Sequence, residues 1–242
     1  MFGLPYLAAF VSFVGLAGCV QTTAPVQSIQ AAGPTGPSGL TPEEAAQNFV
    51  AVVDRVEPVA EQMCRELNPR ANCDFLIAVD DRLTLPPNAY QTLDRGGRPV
   101  IAFTVSLIAD ARNRDEIAFV IGHESAHHIA GHIPQSQASA HQGAVLAGIL
   151  AKASGASAGA VRAAQEWGAT VGARSYAKGY ELEADEMGAE IALRAGYDPL
   201  IGMAFFDRLP DPGDQFLGTH PPNSQRKATV QAVIRKYRHA GN

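Results

Sequence analysis

Asn113-Arg114-Asp115-Glu116-Ile117-Ala118-Phe119-Val120-Ile121-Gly122-His123-Glu124-Ser125-Ala126-His127 is the stretch that decides the fold of this 242-residue chain. Asn113 followed by Glu116 reads as a capping box, and Asp115 and Glu116 suit the positive end of a helix dipole. Ile117, Val120 and Ile121 recur at helical spacing, so the helix they begin is buried. His123 and His127, four residues apart, project from one side of that helix about 6 Å apart, close enough to share a metal ion. Glu124 is turned about 100° from His123, where it can reach a water on the metal without binding the metal itself. Pro134 cannot continue the helix, which is expected to end near His132.

H-E-x-x-H is the signature of a zinc hydrolase, in which zinc lowers the pKa of a water toward ~7 and the glutamate takes its proton. A third ligand is needed. In Tyr180-Glu181-Leu182-Glu183-Ala184-Asp185-Glu186-Met187-Gly188-Ala189-Glu190, Glu181 and Asp185 are four apart on a second predicted helix. That spacing lets Glu181 bind the metal while Asp185 accepts a hydrogen bond from the far nitrogen of a ligand histidine, fixing its tautomer. Taken alone, so acidic a segment reads as a solvated helix face. Beside the histidine pair it reads as the rest of a metal site.

H-E-x-x-H followed by E-x-x-A-D resembles the zinc metallopeptidases that include the CAAX prenyl endopeptidases and the HtpX-type quality-control proteases, above all their soluble periplasmic branch. The similarity runs from Asn88-Ala89-Tyr90 through both metal motifs to Thr219-His220-Pro221-Pro222 and Arg226. It implies one Zn2+ per chain on His123, His127 and Glu181, Glu124 as general base and acid, and Asp185 behind a ligand histidine. It also implies that His220 faces the active site, either donating to the tetrahedral oxyanion or capping the zinc and holding the enzyme latent. The residues themselves leave open an exposed turn ahead of the last helix. Arg226 could contact a substrate carbonyl or pair with a buried carboxylate. His132 matches a histidine that recurs at this spacing. On an unbroken helix it lies opposite His123, which makes it a structural histidine. His128, about 100° from His127, is not expected to be a ligand. One departure is Ser106, in Gly96-Gly97-Arg98-Pro99-Val100-Ile101-Ala102-Phe103-Thr104-Val105-Ser106-Leu107-Ile108, where family members carry a glycine before the leucine.

The N-terminus bears on compartment. Leu4 to Ala17 is an apolar run without a charged side chain, short of a ~20-residue span. It ends in Leu16-Ala17-Gly18-Cys19, which resembles a bacterial lipobox. Residues 1–18 are therefore expected to be a lipoprotein signal peptide and Cys19 the lipidated residue. No aspartate follows Cys19, which suits the periplasmic face of the outer membrane. Residues 19–40 are rich in Gln, Thr, Ala, Pro, Ser and Gly and suit a flexible tether, leaving residues 41–242 as one domain. The net charge of −5 argues against nucleic acid. With Cys19 set aside, Cys64 and Cys73 form an even pair expected to be a disulfide, worth about 2–3 kcal/mol for so short a loop.

Thr41-Pro42-Glu43-Glu44 opens a helix to about Leu67, with Pro58 expected to kink or interrupt it. Strands are expected at Phe75 to Val79 and Val100 to Thr104. The second resembles the edge strand along which zinc peptidases hold extended substrate, with Ala102 and Thr104 as substrate-binding positions. Residues 138–172, dominated by Ala, Gly and Ser, suit a helical hairpin broken at its centre: a lid, a docking surface or simply close helix packing. Ser224 to His239 reads as an amphipathic closing helix with Val230, Val233, Ile234 and Tyr237 inward. The expected fold is a mainly helical α+β, zincin-like domain with a small sheet. The expected activity is a zinc metalloendopeptidase acting on unfolded or misassembled envelope proteins. Two other classes retain the same motifs: a non-proteolytic chaperone with a latent zinc site, and a zinc hydrolase of cell-wall peptides.

Overall fold

Thr41 opens the first helix, α1 (Pro42–Leu67): its side chain accepts from Glu44 N at 3.2 Å, and the Glu44 carboxylate accepts from Thr41 N at 2.8 Å. The computed structural model describes residues 36–211 and 218–240. α1 buries Phe49, Val52, Val56, Ala60 and Met63 along one face. Pro58 does not interrupt it: the helix is continuous from Pro42 to Leu67. Pro58 and Asp54 are exposed, so water can satisfy the carbonyl that the proline leaves unpaired. Cys64 and Cys73 are disulfide-bonded, with Cα atoms 5.7 Å apart, tying the end of α1 to the segment that enters the sheet.

The sheet has three strands, β1 (Leu76–Asp80), β2 (Ala89–Leu93) and β3 (Pro99–Thr104), in the order β1-β3-β2. β3 pairs parallel with β1 and antiparallel with β2. This corrects the edge-strand expectation. Ala102 sits between Ala78 and Tyr90 in the middle of the sheet, and the edge strand on the β3 side that was not foreseen is β2. Thr104 is spent on structure: its hydroxyl oxygen accepts from Asn88 N at 3.0 Å and from Leu107 N at 3.2 Å, capping α2 (Val105–Asp110). Ser106 lies in the first turn of α2 and donates to the Leu85 carbonyl at 2.8 Å.

The motif helix is α3 (Arg114–Ile129). Asn113 Oδ1 accepts from Glu116 N at 2.9 Å, but the expected return bond is not made. The buried Glu116 carboxylate instead accepts from Arg112 N at 2.9 Å and from Arg208 at 2.8 and 2.7 Å. α3 also ends sooner than expected. Gly131 adopts a left-handed φ of 70°, and a new helix, α4 (His132–Ala153), starts at His132. Pro134 falls in its first turn, where a missing N–H costs little.

α4 and α5 (Ala158–Arg174) form the expected hairpin and pack on each other more than on anything else. Its composition reflects close packing: Gly143 and Gly172 meet backbone atoms of the facing helix, and a Cβ on Gly148 would lie 2.8 Å from the Gln165 side chain. Val145, Leu146, Ile149, Leu150 and Trp167 stay exposed. α6 (Ala177–Arg194) then crosses α3 through Gly122 and Gly188, bringing Glu181 to the histidines. Next come a short α7 (Pro199–Gly202), a 3-10 turn Met203–Arg208 and α8 (Asn223–Ala240). α8 buries Val230, Val233 and Ile234, but Tyr237 is 49% exposed and not inward.

The result is a mainly helical α+β domain whose core joins α1, the sheet, α3, α6 and α8. Among the described residues no helix is long and apolar enough to cross a membrane. The apolar run Leu4 to Ala17, Cys19 and most of the expected tether lie outside the described residues. Gly36 to Leu40, assigned to that tether, form a turn closed by Gly36 N on the Leu40 carbonyl at 2.9 Å.

Candidate metal centre and active site

His123 and His127 come from α3 and Glu181 from α6, and one ligand atom of each lies within 4.8 Å of the others. The two Nε2 atoms are 3.1 Å apart, and the Glu181 oxygens are 3.6 Å from His123 Nε2 and 3.4 Å from His127 Nε2. Ligands held tetrahedrally at about 2.0–2.1 Å from zinc are separated by about 3.3 Å. The ligand atoms therefore lie close enough together to hold one ion, and two imidazoles with a carboxylate are a donor set that fits zinc.

The far sides of the ligands are occupied. His123 Nδ1 lies 2.9 Å from Asp185 Oδ1, so the ligand histidine that Asp185 supports is His123. Asp185 is fully buried and is also gripped at both oxygens by Arg226, each at 2.7 Å. Burial alone would raise the Asp185 and Glu181 carboxyls. Hydrogen bonds from His123 and Arg226 to Asp185, and from His127 and His220 to Glu181, outweigh it and hold both below the ordinary carboxylate range. Both stay ionised, as a ligand and its support must.

The donors open on a cleft of about 380 Å³. Glu124 lines it beside His123; β2 borders it through Ala89, Tyr90 and Gln91; Phe119, Phe205 and Phe206 form an apolar wall. The sequence profile of peptidase family M48 matches residues 52–234. The chain belongs to peptidase family M48. No curated protein matches it. As an M48 peptidase it is a metallopeptidase, a hydrolase of peptide bonds, and members of the family are zinc-dependent.

Of the remaining candidates, the M48 cleft takes in His220, whose Nδ1 lies 3.0 Å from Glu181 Oε2. Arg226 also lines the cleft, and of its two expected roles the structure shows the pairing with a buried carboxylate. Its guanidinium is buried, committed to Asp185 and stacked 4.1 Å from the Phe206 ring. Ala102 and Thr104, buried in the central strand, do not line the cleft. His128 is no ligand: its ring nitrogen Nε2 bonds the Asn72 carbonyl at 2.8 Å. His132 departs most from expectation. The break at Gly131 turns it back toward the site, where Nδ1 lies 2.9 Å from His127 Nδ1 and Nε2 lies 3.2 Å from Glu183. The glycine followed three residues later by proline was a readable helix-stop signal that would have predicted this break.

Proposed function

We propose that this M48 peptidase is a zinc-dependent endopeptidase cutting internal bonds of unfolded or misassembled envelope proteins, held by a lipid on Cys19 at the periplasmic face of the outer membrane. The observation that carries the endopeptidase reading is a metal-binding triad and Glu124 in a cleft bordered by an edge strand. β2 pairs with β3 on one side only among the described strands, so its other edge can pair with an extended segment of substrate. Backbone pairing of this kind is indifferent to most side chains, which suits unfolded substrates. The apolar wall of Phe119, Phe205 and Phe206 suits one apolar side chain of the segment. The disulfide Cys64–Cys73 supports an oxidising compartment.

Zinc held by His123, His127 and Glu181 would supply Lewis-acid polarisation of the scissile carbonyl and would acidify a water at the site. Glu124 takes the proton of the attacking water and passes it to the leaving nitrogen. Asp185 holds the His123 ring, and Arg226 keeps Asp185 charged and fixed. His220 stands at the cleft, positioned to donate to the oxyanion. A latent form is the second reading, favoured by one observation: the His220 side chain engages the ligand carboxylate Glu181.

Cleavage of casein by residues 20–242, with and without chelator, tests these readings in wild type, Glu124→Gln and His220→Ala. Metal-dependent cleavage abolished in Glu124→Gln is expected, with His220→Ala slower than wild type. A silent wild type beside an active His220→Ala establishes the latent form. Cleavage surviving in zinc-loaded Glu124→Gln refutes the mechanism.

A further inference from the structure

The far side of His127 carries a hydrogen-bonded chain that the catalytic scheme above does not use. His127 Nδ1 lies 2.9 Å from His132 Nδ1, and His132 Nε2 lies 3.2 Å from Glu183 Oε2. His132 is buried, and its ring stacks on Tyr180 with centroids 4.5 Å apart and planes 21° apart. One placement of protons satisfies every nitrogen in the chain. With Nε2 of His127 turned toward the metal, its Nδ1 carries the proton and donates to His132 Nδ1. His132 then carries its own proton on Nε2 and donates to the Glu183 carboxylate.

We propose that His132 and Glu183 are positioning residues of the metal centre, holding the His127 ring in its Nδ1–H tautomer with Nε2 aimed at zinc. The inference rests on zinc being the metal at His123, His127 and Glu181. It gives each ligand histidine its own carboxylate: Asp185 acts on His123 directly, and Glu183 acts on His127 through an intervening imidazole. A histidine that merely filled space could satisfy its nitrogens on backbone, as His128 does on the Asn72 carbonyl. His132 instead spends Nδ1 on the one ring atom of His127 that the metal does not need. The arrangement depends on the left-handed Gly131, since an unbroken α3 would carry His132 to the opposite side. Three elements converge on it: His127 from α3, His132 from the first residue of α4, and Glu183 from α6, two residues beyond the ligand Glu181. Outer partners of this kind are worth about 10–100-fold in metal affinity.

The test measures zinc dissociation constants of the full chain by chelator competition, the absorption spectrum of the cobalt(II) form, and melting of the metal-free form. The variants are His132→Leu, His132→Asn and Glu183→Gln. His132→Leu is expected to bind zinc about 10–100-fold more weakly and to change the cobalt spectrum. His132→Asn, whose side-chain oxygen can accept from His127 Nδ1, recovers most of that loss. Glu183→Gln weakens binding by a smaller factor, and its side chain is 56% exposed, so the fold is spared. Unchanged zinc affinity and cobalt spectrum in both His132→Leu and Glu183→Gln overturn the inference. So does a loss in His132→Leu that follows only the metal-free melting temperature and is not recovered by asparagine. If His132→Leu does not fold, Glu183→Gln and His132→Asn decide: wild-type affinity in Glu183→Gln overturns the inference. A folded wild type without zinc affinity removes the zinc reading itself, a result distinct from any of these.

Discussion

Gly122 and Gly188 face each other where α3 crosses α6, so closely that a Cβ on Gly188 would lie 2.7 Å from the backbone nitrogen of His123. The two metal motifs meet because neither helix has a side chain at this point. Gly188→Ala is expected to force the helices apart, costing about 1–3 kcal/mol and weakening zinc binding through the displaced Glu181. Urea unfolding of the metal-free protein and chelator competition measure the two effects. Wild-type zinc affinity in a folded Gly188→Ala variant would show that the crossing does not set the site.

Glu116 and Arg208 form a second strut, a two-pronged ion pair at 2.8 and 2.7 Å with the carboxylate buried. It anchors the Met203–Arg208 turn, which carries Phe205 and Phe206 into the cleft wall. Glu116→Ala leaves Arg208 with Asp110 at 3.3 Å and is expected to cost about 2–4 kcal/mol. Because the wall loosens while the metal donors stay, KM for a peptide substrate should rise by more than kcat falls. Steady-state kinetics with one fluorogenic peptide separates the two.

The Cys64–Cys73 disulfide closes a loop with a sequence separation of 9 between α1 and β1. Its loss should cost about 2–3 kcal/mol, which lowers Tm by about 5–10 °C in a domain of this size. The double variant Cys64→Ser/Cys73→Ser should melt where reduced wild type melts, and reductant should leave the variant unchanged. Equal melting of oxidised and reduced wild type would remove the disulfide from the account of stability.

His128 gives a pH signature. Burial lowers its pKa below 6.5, against the smaller opposing effect of its bond to the Asn72 carbonyl. The unfolded chain therefore binds a proton at this position more readily than the folded one just below pH 6.5, and stability there rises with pH. In metal-free protein, His128→Gln should flatten that rise between about pH 5 and 7. Tm measured across that range in wild type and variant gives the slopes; identical slopes would exclude His128 as a source.

What could be read from the sequence was local. The Thr41–Glu44 cap, the period of α3, the two metal motifs and the supporting role of Asp185 all follow from spacings within one helix or from the chemistry of one ion. What could not be read depends on pairings across the chain. Nothing within Val100 to Thr104 says whether its neighbours lie on one side or both, so β3 reads equally as edge or centre. Its true edge partner had a signal: Tyr90 and Thr92 lie between Pro86-Pro87 and the Asp94–Gly97 turn, a hairpin pattern. Arg226 could not be assigned between substrate and Asp185, because the choice is made by α8 packing on α6. Glu116 has the sequence position of a capping-box acid, and only the approach of Arg208 diverts it.

The α4–α5 hairpin has a consequence for the order in which the protein assembles. His127 and Glu181 are separated by roughly 50 residues of chain, and bringing such distant points together costs entropy that grows with the logarithm of the loop. The hairpin makes its contacts between near neighbours in sequence, which form early. Once it has zipped, its two ends lie side by side and the remaining loop shrinks to about ten residues, cutting the closure cost by about 1.5 kcal/mol. A segment that contributes no metal ligand thus lowers the entropic cost of delivering two remote motifs to each other.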